Sequence, residues 1–411
     1  MPPKLLPDCV KSMAERPGLA LFCDRFLNNS FGFHAAEFNA TLEHFPDAVI
    51  YTLARKINAP YDEKNFVANL PLYEKTYPAM KGRVRQLHAR LDNSKPSEAT
   101  HSLLSVRRGV WQKPRHAYSI FLANAILFLP LWEYLHIPFS FTLYPGGGFQ
   151  MSEGRSQKGL ERIFCSPMFR SVTVTMKNTL DYIRHEFSVP DEKIFYLYGG
   201  PLPVEGADKS FSLKKHYPAD KLTLDICFAA HRYSAFGIDK GYDSFIVTAE
   251  KLRQKFPYLR FHVVGDYNPA IWDVRSLGDS IEFHGFLPTE ELAAFYSRMD
   301  LFYSACKPGI LGKGTFDGFP TGAAIEGAAA GVALGSSDPL NLNEVFSDAQ
   351  DIILLKGDPS QDAAILAPYL QAPERLYALA GKGRATVLRH FSRAAQMGPR
   401  LSRLEKLIAA G

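Results

Sequence analysis

The chain has 411 residues, of which 46% are hydrophobic and 22% charged, a balance typical of a globular protein with two or three domains. Its five cysteines are scattered without a CxxC pair, which argues against a zinc cluster and a disulfide framework and indicates a reducing compartment. The amino-terminal residues MPPKLLPDCVKSMAERPG have no long apolar core, so we expect no secretory signal.

The amino-terminal part reads as an α/β domain. A strand from Gly18 to Phe26 leads into a polar loop that contains Gly32, and a helix from Ala35 to about His44 and a strand from Ala48 to Leu53 follow. Basic residues then cluster at Lys81–Arg90 and Arg107–Arg115. With a net charge of +5, these clusters are either solvated faces or contacts to a membrane surface.

The segment from Ala117 to Trp132 carries no charge but is interrupted by Pro130, so it is too short to span a membrane. It predicts a buried strand followed by a helix, and Pro138–Leu143 predicts the next strand. That strand ends in YPGGGF, with Tyr144 followed by Gly146, Gly147 and Gly148. Three successive glycines indicate either a loop that lines a cleft or a plain flexible connection.

The second half alternates strands with helices of about a dozen residues, which indicates βαβ units on a parallel sheet. Ligands of such sheets bind beyond the carboxyl ends of the strands, where Arg232, Lys240, Gly265 and the loop around Asp317 fall. Before this half, strand Ser171–Met176 and helix Leu180–Phe187 complete the amino-terminal domain, and a polar linker lies at 205–220. The predicted elements of the second half are strand Leu224–Ala230, helix Tyr242–Phe256, strand Arg260–Val264, strand Ile281–His284, helix Thr289–Arg298, strand Leu301–Ser304 and a basic helical tail over Glu374–Ile408.

The segment FDGFPTGAAIEGAAAGV, at 316–332, combines an acid, a turn with glycines and the start of a helix. Gly318 and Gly322 bracket Phe319, Pro320 and Thr321, so the backbone can approach a ligand closely. The N–H groups at a helix start have no intrahelical partner and suit a phosphate or a sugar hydroxyl.

Glu326 is the one carboxylate in the small, apolar segment that follows this turn. A carboxylate is costly to bury unless something hydrogen-bonds to it. Glu326 is therefore either a capping or solvent-facing residue or a ligand contact.

Four segments, taken together, resemble the donor-binding domain of glycosyltransferase family 4, the retaining enzymes of the GT-B fold. They are Arg232 with Lys240-Gly241, VVG at 263–265, GFLPTEELAAFYSRMDLF at 285–302 and DGFPTGAAIEGAAAGV at 317–332. The resemblance covers roughly residues 222 to 345. It implies two Rossmann-like α/β domains with parallel sheets facing a central cleft: an acceptor-side domain at 1–204, a linker at 205–220 and a donor-binding domain at 221–389. A last helix at about 390–411 would pack back on the first domain.

The resemblance also assigns roles. Arg232 and Lys240 match the basic pair that holds the nucleotide diphosphate, Glu326 matches the acid that contacts the ribose, and Asp317 lies near the acid that faces the donor sugar. The acids are spaced D-x8-E where the family has E-x7-E. The remaining predicted residues are Gly265, Phe286 and Gly318–Gly322 on the donor side, and Gly32, Tyr144 and Gly146–Gly148 on the acceptor side.

The implied activity is transfer of a sugar from a nucleotide sugar, with a UDP-sugar favoured over GDP- or dTDP-sugars, to a glycan. The expected glycan is a lipid-linked polysaccharide such as O-antigen or capsule, with retention at the anomeric carbon. We expect a cytoplasmic enzyme with possible peripheral contact to the inner membrane or to other glycosyltransferases. No DxD pair occurs in a plausible loop, so we expect neither a metal nor another cofactor, and no nucleic-acid partner.

Two alternatives stay open. One is another GT-B enzyme, an epimerase or a phosphorylase; the other is a catalytically silent nucleotide-sugar-binding partner of a polysaccharide-synthesis complex. No G-x-G-x-x-G follows the first strand, which disfavours a dinucleotide-dependent dehydrogenase. Neither H-E-x-x-H nor G-x-S-x-G occurs.

Overall fold

The computed structural model describes residues 17–24, 32–52, 56–58, 66–68, 103–105, 113–202 and 207–410. The basic cluster at Lys81–Arg90 and most of that at Arg107–Arg115 lie outside these residues, as do most of the polar loop before Gly32 and the final residues of the strand predicted over Gly18–Phe26.

The first domain contains a seven-stranded parallel sheet in the order β4-β2-β1-β6-β7-β8-β9, and a separate antiparallel pair, β3-β5. Its central strands are buried along their whole length, as expected for a sheet covered on both faces. The strands are β1 Leu19–Cys23, β2 Val49–Thr52, β3 Lys56–Asn58, β4 Phe66–Ala68, β5 Leu103–Ser105, β6 His116–Ile120, β7 Phe139–Leu143, β8 Phe169–Val174 and β9 Ile194–Tyr196.

Helices connect these strands. In one of them, α3 (Gly154–Phe164), the Glu153 carboxylate caps the amino terminus by accepting hydrogen bonds from the backbone N–H groups of Arg155 and Ser156. The apolar segment at 117–132 divides as predicted into a strand, β6, and a helix, α2 (Leu122–Tyr134). The described helices of this domain are α1 Phe33–His44, α2 Leu122–Tyr134, α3 Gly154–Phe164 and α4 Lys177–Glu186.

The second domain is built on a six-stranded parallel sheet in the order β12-β11-β10-β13-β14-β15. Its strands are β10 Leu224–Ala229, β11 Leu259–Val264, β12 Ile281–Gly285, β13 Leu301–Ser304, β14 Ala333–Ser337 and β15 Ile353–Leu355. The helices are α5 Ala207–Ser212, α6 Tyr242–Lys255, α7 Thr289–Tyr296, α8 Gly322–Ala329, α9 Pro359–Gln371, α10 Pro373–Phe391 and α11 Arg393–Ala409.

The last helix, α11, lies against α1 of the first domain. The side chain of Arg400 is buried there, with its Nε 3.7 Å from Oε2 of the fully buried Glu37. Two exposed pairs, Arg393 with Glu43 and Glu405 with His44, flank this contact.

The predicted α/β class is confirmed: two parallel sheets with helices between their strands. The boundaries differ by a few residues at most where both are defined. The strand expected over Ser171–Met176 runs from Phe169 to Val174, and the helix expected from Leu180 begins at Lys177. None of the helices in the described parts of the chain is long and apolar enough to cross a membrane.

Candidate donor site

A pocket lies beyond the carboxyl ends of β13 and β14, where a parallel sheet binds its ligands. Serine hydroxyls from both strand ends line it, together with the acid-bearing turn before α8. Its lining includes Ser304, Ser336, Ser337 and the segment Phe316–Phe319.

Lys240 forms an ion pair with Asp317 at the edge of this pocket. Its Nζ lies 2.7 Å from Oδ1 and 2.8 Å from Oδ2 of Asp317, and 4.9 Å from the centre of the Tyr233 ring. Burial lowers the pKa of Lys240, but the Asp317 carboxylate more than offsets this, so the net pKa lies above the ordinary value. Lys240 is therefore a buried cation, and Asp317 fixes its position.

Arg232 lies on the loop after β10 and is held by its neighbours. Its guanidinium donates to the carbonyl oxygens of Asp266 and Ala235 at 2.8 and 2.7 Å, and to Oδ2 of Asp266 at 2.8 Å. A guanidinium has about five N–H donors, so about two remain after these three bonds. These bonds thus hold the Arg232 side chain at a strand end, and its remaining N–H groups can bind an anion.

The turn before α8 lies between the two domains. The carbonyl oxygen of Phe319 accepts a hydrogen bond of 2.6 Å from the hydroxyl of Tyr198, and a Cβ at Gly318 would lie 3.1 Å from Cε of Met176. Helix α8 has Thr321 at its N-cap position, and the Thr321 side chain accepts no hydrogen bond from the helix; no other described side chain caps it. Its first N–H groups are thus available to an acceptor.

Glu326 lies one turn into α8. Its side chain is partly exposed to solvent, although protein covers most of its surface. Burial raises its pKa to about 7. The structure gives its carboxylate no hydrogen-bond partner among the described residues. A carboxylate of this kind suits a ligand hydroxyl better than a structural cap.

Aromatic side chains are exposed beside Arg232. Phe286 follows β12 with 61% of its surface exposed, Tyr233 has 65% exposed, and the ring of His231 lies 5.2 Å from that of Phe286. Gly265, by contrast, is constrained: at φ 121° a Cβ would come within 2.1 Å of the carbonyl oxygen of Ala230. It lets two strand ends approach each other.

The residues predicted for the acceptor side differ in their exposure, and Gly146, Gly147 and Gly148 are exposed. Tyr144 is buried, and its hydroxyl donates to Oε2 of Glu37 at 2.5 Å. Gly147 and Gly148 are packed against the start of α2, where a Cβ would clash with Phe121 or Ala123, whereas Gly146 faces open space. Gly32 precedes α1 with φ 94°.

The loop 305–321 joins the domains at a second place. The backbone N–H of Met151 donates to the carbonyl oxygen of Gly314 at 3.0 Å, and the Phe149 and Phe316 rings lie 6.2 Å apart. A Cβ at Gly314 would lie 1.8 Å from the Met151 carbonyl oxygen. The glycine-rich GILGKGT segment therefore contacts the loop that follows the first domain's YPGGGF.

Sequence reasoning did not single out Glu37, Tyr198 or Asp266, each of which positions part of the site. Glu37 lies in the helix predicted from Ala35 to about His44, but no clear apolar stripe along that helix marks it as buried. Tyr198 and Asp266 lie in turns, and their partners are distant in sequence, so no local pattern marks them.

The comparisons with known proteins agree with this architecture. Residues 246–399, less than half of the chain, match a family model described as glycosyl transferase-like. Among solved structures, Anabaena HepE in complex with UDP and glucose aligns with a TM-score of 0.61 at 13% identity, covering 94% of this chain and 99% of that one. The fold is that of the GT-B glycosyltransferases.

Two further GT-B structures show the same likeness. Sucrose-phosphate synthase from Thermosynechococcus elongatus aligns with a TM-score of 0.60 at 16% identity, covering 96% of this chain and 99% of that chain. An E. coli structure described as trehalose-6-phosphate bound with UDP-2-fluoro glucose aligns with a TM-score of 0.57 at 13% identity, covering 94% of this chain and 99% of that chain. No curated protein matches by sequence.

Proposed function

We propose that this chain is a glycosyltransferase that moves a sugar from a UDP-sugar to a hydroxyl group of a glycan, with retention at the anomeric carbon. The observation that carries the proposal is the buried, charged Lys240, which pairs with Asp317 on the turn that leads into α8, at the carboxyl edge of a parallel sheet. The family match over 246–399 supports the transferase class. The fold neighbours that carry UDP, UDP-glucose or UDP-2-fluoro glucose favour a uridine donor.

In the proposed reaction, the bond between the anomeric carbon and the diphosphate oxygen breaks, and negative charge grows on the leaving diphosphate. Lys240, the remaining N–H groups of Arg232 and the backbone N–H groups of the 318–322 turn, apart from Pro320, stabilise that charge. They are held in place before the reaction and need little reorganisation. The acceptor hydroxyl oxygen forms the new bond to the anomeric carbon, and the departing phosphate accepts the proton of that hydroxyl.

Each end of the donor has a proposed contact. Glu326 accepts hydrogen bonds from the ribose hydroxyls, and the exposed Phe286 and Tyr233 rings offer surfaces for the base. Asp317 acts through Lys240, whose Nζ it holds, and lies against the sugar. This last role is the least direct, because Lys240 engages both carboxylate oxygens of Asp317.

For the acceptor we propose a lipid-linked polysaccharide of the O-antigen or capsule type, reached by a cytoplasmic enzyme at the inner membrane face. The resemblance of the sequence to surface-polysaccharide enzymes and the net charge of +5 support this choice.

The test measures nucleotide release from a panel of UDP-, GDP- and dTDP-sugars, with and without glycan acceptors. We expect turnover with a UDP-sugar and acceptor, strongly reduced in Arg232→Ala and Glu326→Ala and unchanged in a distant control, Lys255→Ala. NMR of the product's anomeric proton tests retention. If both site variants keep full turnover, the site assignment is wrong.

The same panel separates the alternatives. A silent binding partner would bind a donor without turning it over in the presence of any acceptor. A phosphorylase would release a sugar phosphate when inorganic phosphate is supplied, and an epimerase would change the donor sugar without an acceptor.

A further inference from the structure

Three potential metal ligands meet on one face of the second sheet, in a cluster that shares no residue with the donor pocket. His262 lies on β11, and Glu282 and His284 lie on the neighbouring edge strand β12. One ligand atom from each side chain falls within 4.8 Å of the others. Among the described residues, no other group of histidine, cysteine and carboxylate side chains has this spacing.

The strand register explains why these side chains converge. His262 is paired with Glu282, so both point to the same face of the sheet. The register then shifts between Val263 and Val264, where Val264 pairs with Gly285, and His284 is the extra residue on β12. Such a bulge redirects a side chain, and here the His284 ring lies beside that of His262.

The distances suit a small divalent ion. Nδ1 of His262 is 3.1 Å from Nε2 of His284 and 3.7 Å from Oε2 of Glu282. Two ligand atoms bound to one ion at about 2.0–2.1 Å in tetrahedral geometry lie about 3.3 Å apart. Only small movements would therefore let all three side chains bind one ion.

The hydrogen bonding of His262 points the same way. Its Nε2 lies 2.9 Å from Oδ1 of Asp225, and a carboxylate oxygen accepts, so Nε2 carries a proton, and in the neutral ring Nδ1 has a lone pair that faces the cluster. Glu282 offers lone pairs only. A carboxylate behind a histidine, with the other ring nitrogen facing further ligands, is the usual outer shell of a metal-binding histidine.

Of the three side chains, His262 and His284 are largely covered by neighbouring residues, whereas Glu282 is exposed to solvent. The Phe295 ring of α7 lies 5.1 Å from the His284 ring and 6.2 Å from the His262 ring. The side chains of His262 and His284 are 8% and 13% exposed, and that of Glu282 is 59% exposed. An ion can enter from the Glu282 side, where water would complete its coordination.

We propose that His262, Glu282 and His284 form a binding site for one divalent transition-metal ion of the Zn²⁺ type, with Asp225 as the positioning residue behind His262. Imidazole and carboxylate together select such an ion over Mg²⁺ and Ca²⁺. The bound ion would tie the edge strand β12 to β11, outside the donor pocket. The site is independent of the proposed transferase activity.

The test uses untagged full-length protein stripped with a chelator and then titrated with Co²⁺, followed by visible absorption, with Zn²⁺ as competitor. We expect one Co²⁺ per chain with d–d bands that Zn²⁺ abolishes, and a higher thermal unfolding temperature with either ion. Glu282→Gln and His284→Ala should lose the bands. Asp225→Asn should bind about 10- to 100-fold more weakly.

Two controls exclude other ligands. Cys165→Ser removes an exposed thiol, and His185→Ala removes an exposed histidine of the first domain. Both should bind like the wild type. Because Glu282 is exposed, Glu282→Gln tests the site without disturbing the core. The absence of Co²⁺ bands in the wild type, or unchanged binding in both Glu282→Gln and His284→Ala, would overturn the proposal.

Discussion

At the scale of single residues, Lys240 is unusual because it is buried and charged and lies next to a pocket. The Asp317 carboxylate offsets the desolvation cost of the buried ammonium group. The Asp317 side chain is itself one-third exposed, so solvent can reach the pair. A diphosphate can therefore approach Lys240 without first breaking a closed core.

Replacing Lys240 tests its proposed role in catalysis. We expect Lys240→Ala to lower kcat/KM for nucleotide release about 100-fold or more, the usual cost of removing one donor to a developing negative charge. The thermal unfolding temperature should fall only slightly, because water can solvate the exposed side of Asp317. If Lys240→Ala turns the donor over as fast as Lys255→Ala, Lys240 does not stabilise the leaving group.

The raised pKa of Glu326 predicts a dependence of stability on pH. Its pKa of about 7 in the folded chain exceeds the ordinary value of 4.5, so between these values the folded state binds more protons than the unfolded state. Unfolding free energy then decreases as pH rises through this window. Above pH 7 the folded protein carries a poorly solvated carboxylate.

Glu326→Gln removes this penalty. We expect the variant to be more stable than the wild type at pH 8 by about 3 kcal/mol, and the two to converge near pH 4. Urea unfolding at several pH values measures the difference. Gln should also weaken UDP binding at pH 8, where the ionised Glu accepts hydrogen bonds best. If the unfolding free energies of the two proteins change with pH in parallel, burial does not raise the pKa of the Glu326 carboxyl.

At the scale of elements, the glycines of the loop 305–321 differ in what surrounds them. Gly309 and Gly314 have similar φ values, 80° and 76°, yet a Cβ at Gly309 meets nothing within 4 Å, whereas one at Gly314 would meet the backbone of Met151. The two positions thus separate the cost of a left-handed residue from the cost of losing a contact between domains.

We expect Gly309→Ala to cost about 1–2 kcal/mol, the strain of a left-handed alanine. Gly314→Ala should cost at least about 1 kcal/mol more, because the added methyl displaces Met151 and breaks its hydrogen bond to Gly314. It should also raise the donor KM, since the displaced loop borders the pocket. Urea unfolding and steady-state kinetics of the two variants measure both effects; equal costs would mean that the loop shifts freely.

The secondary structure could be predicted largely from the sequence because it follows local periodicity. The apolar segments at 224–230 and 301–304 form β10 and β13, and the small residues after Gly322 form α8. The close packing at Gly147 and Gly148 could not be predicted, because its cause is the start of α2, more than twenty residues earlier. A glycine run looks the same in sequence whether it is loose or tightly packed.

At the scale of the whole molecule, the contact between α11 and α1 depends on residues far apart in the chain. Glu37 is fully buried and accepts hydrogen bonds from Tyr118, Thr142 and Tyr144, while Arg400 donates to Tyr144 and to the carbonyl oxygen of Gly199. Burial and the Glu37 carboxylate raise the pKa of Tyr144 well above its ordinary value, so its hydroxyl stays protonated and donates. The sequence predicts both helices but cannot pair Glu37 with Arg400.

This cluster predicts a large difference between two arginines on the same helix. Arg400→Met leaves Glu37 buried without its cation, and we expect a loss of about 3–5 kcal/mol of unfolding free energy. Arg393→Ala breaks only the exposed pair with Glu43 and should cost at most about 1 kcal/mol. Combining Arg400→Met with Glu37→Gln removes the uncompensated charge and should recover part of the loss. Urea unfolding of the four proteins, wild type included, measures these terms; if Arg400→Met is no worse than Arg393→Ala, the buried pair does not hold α11 on the first domain.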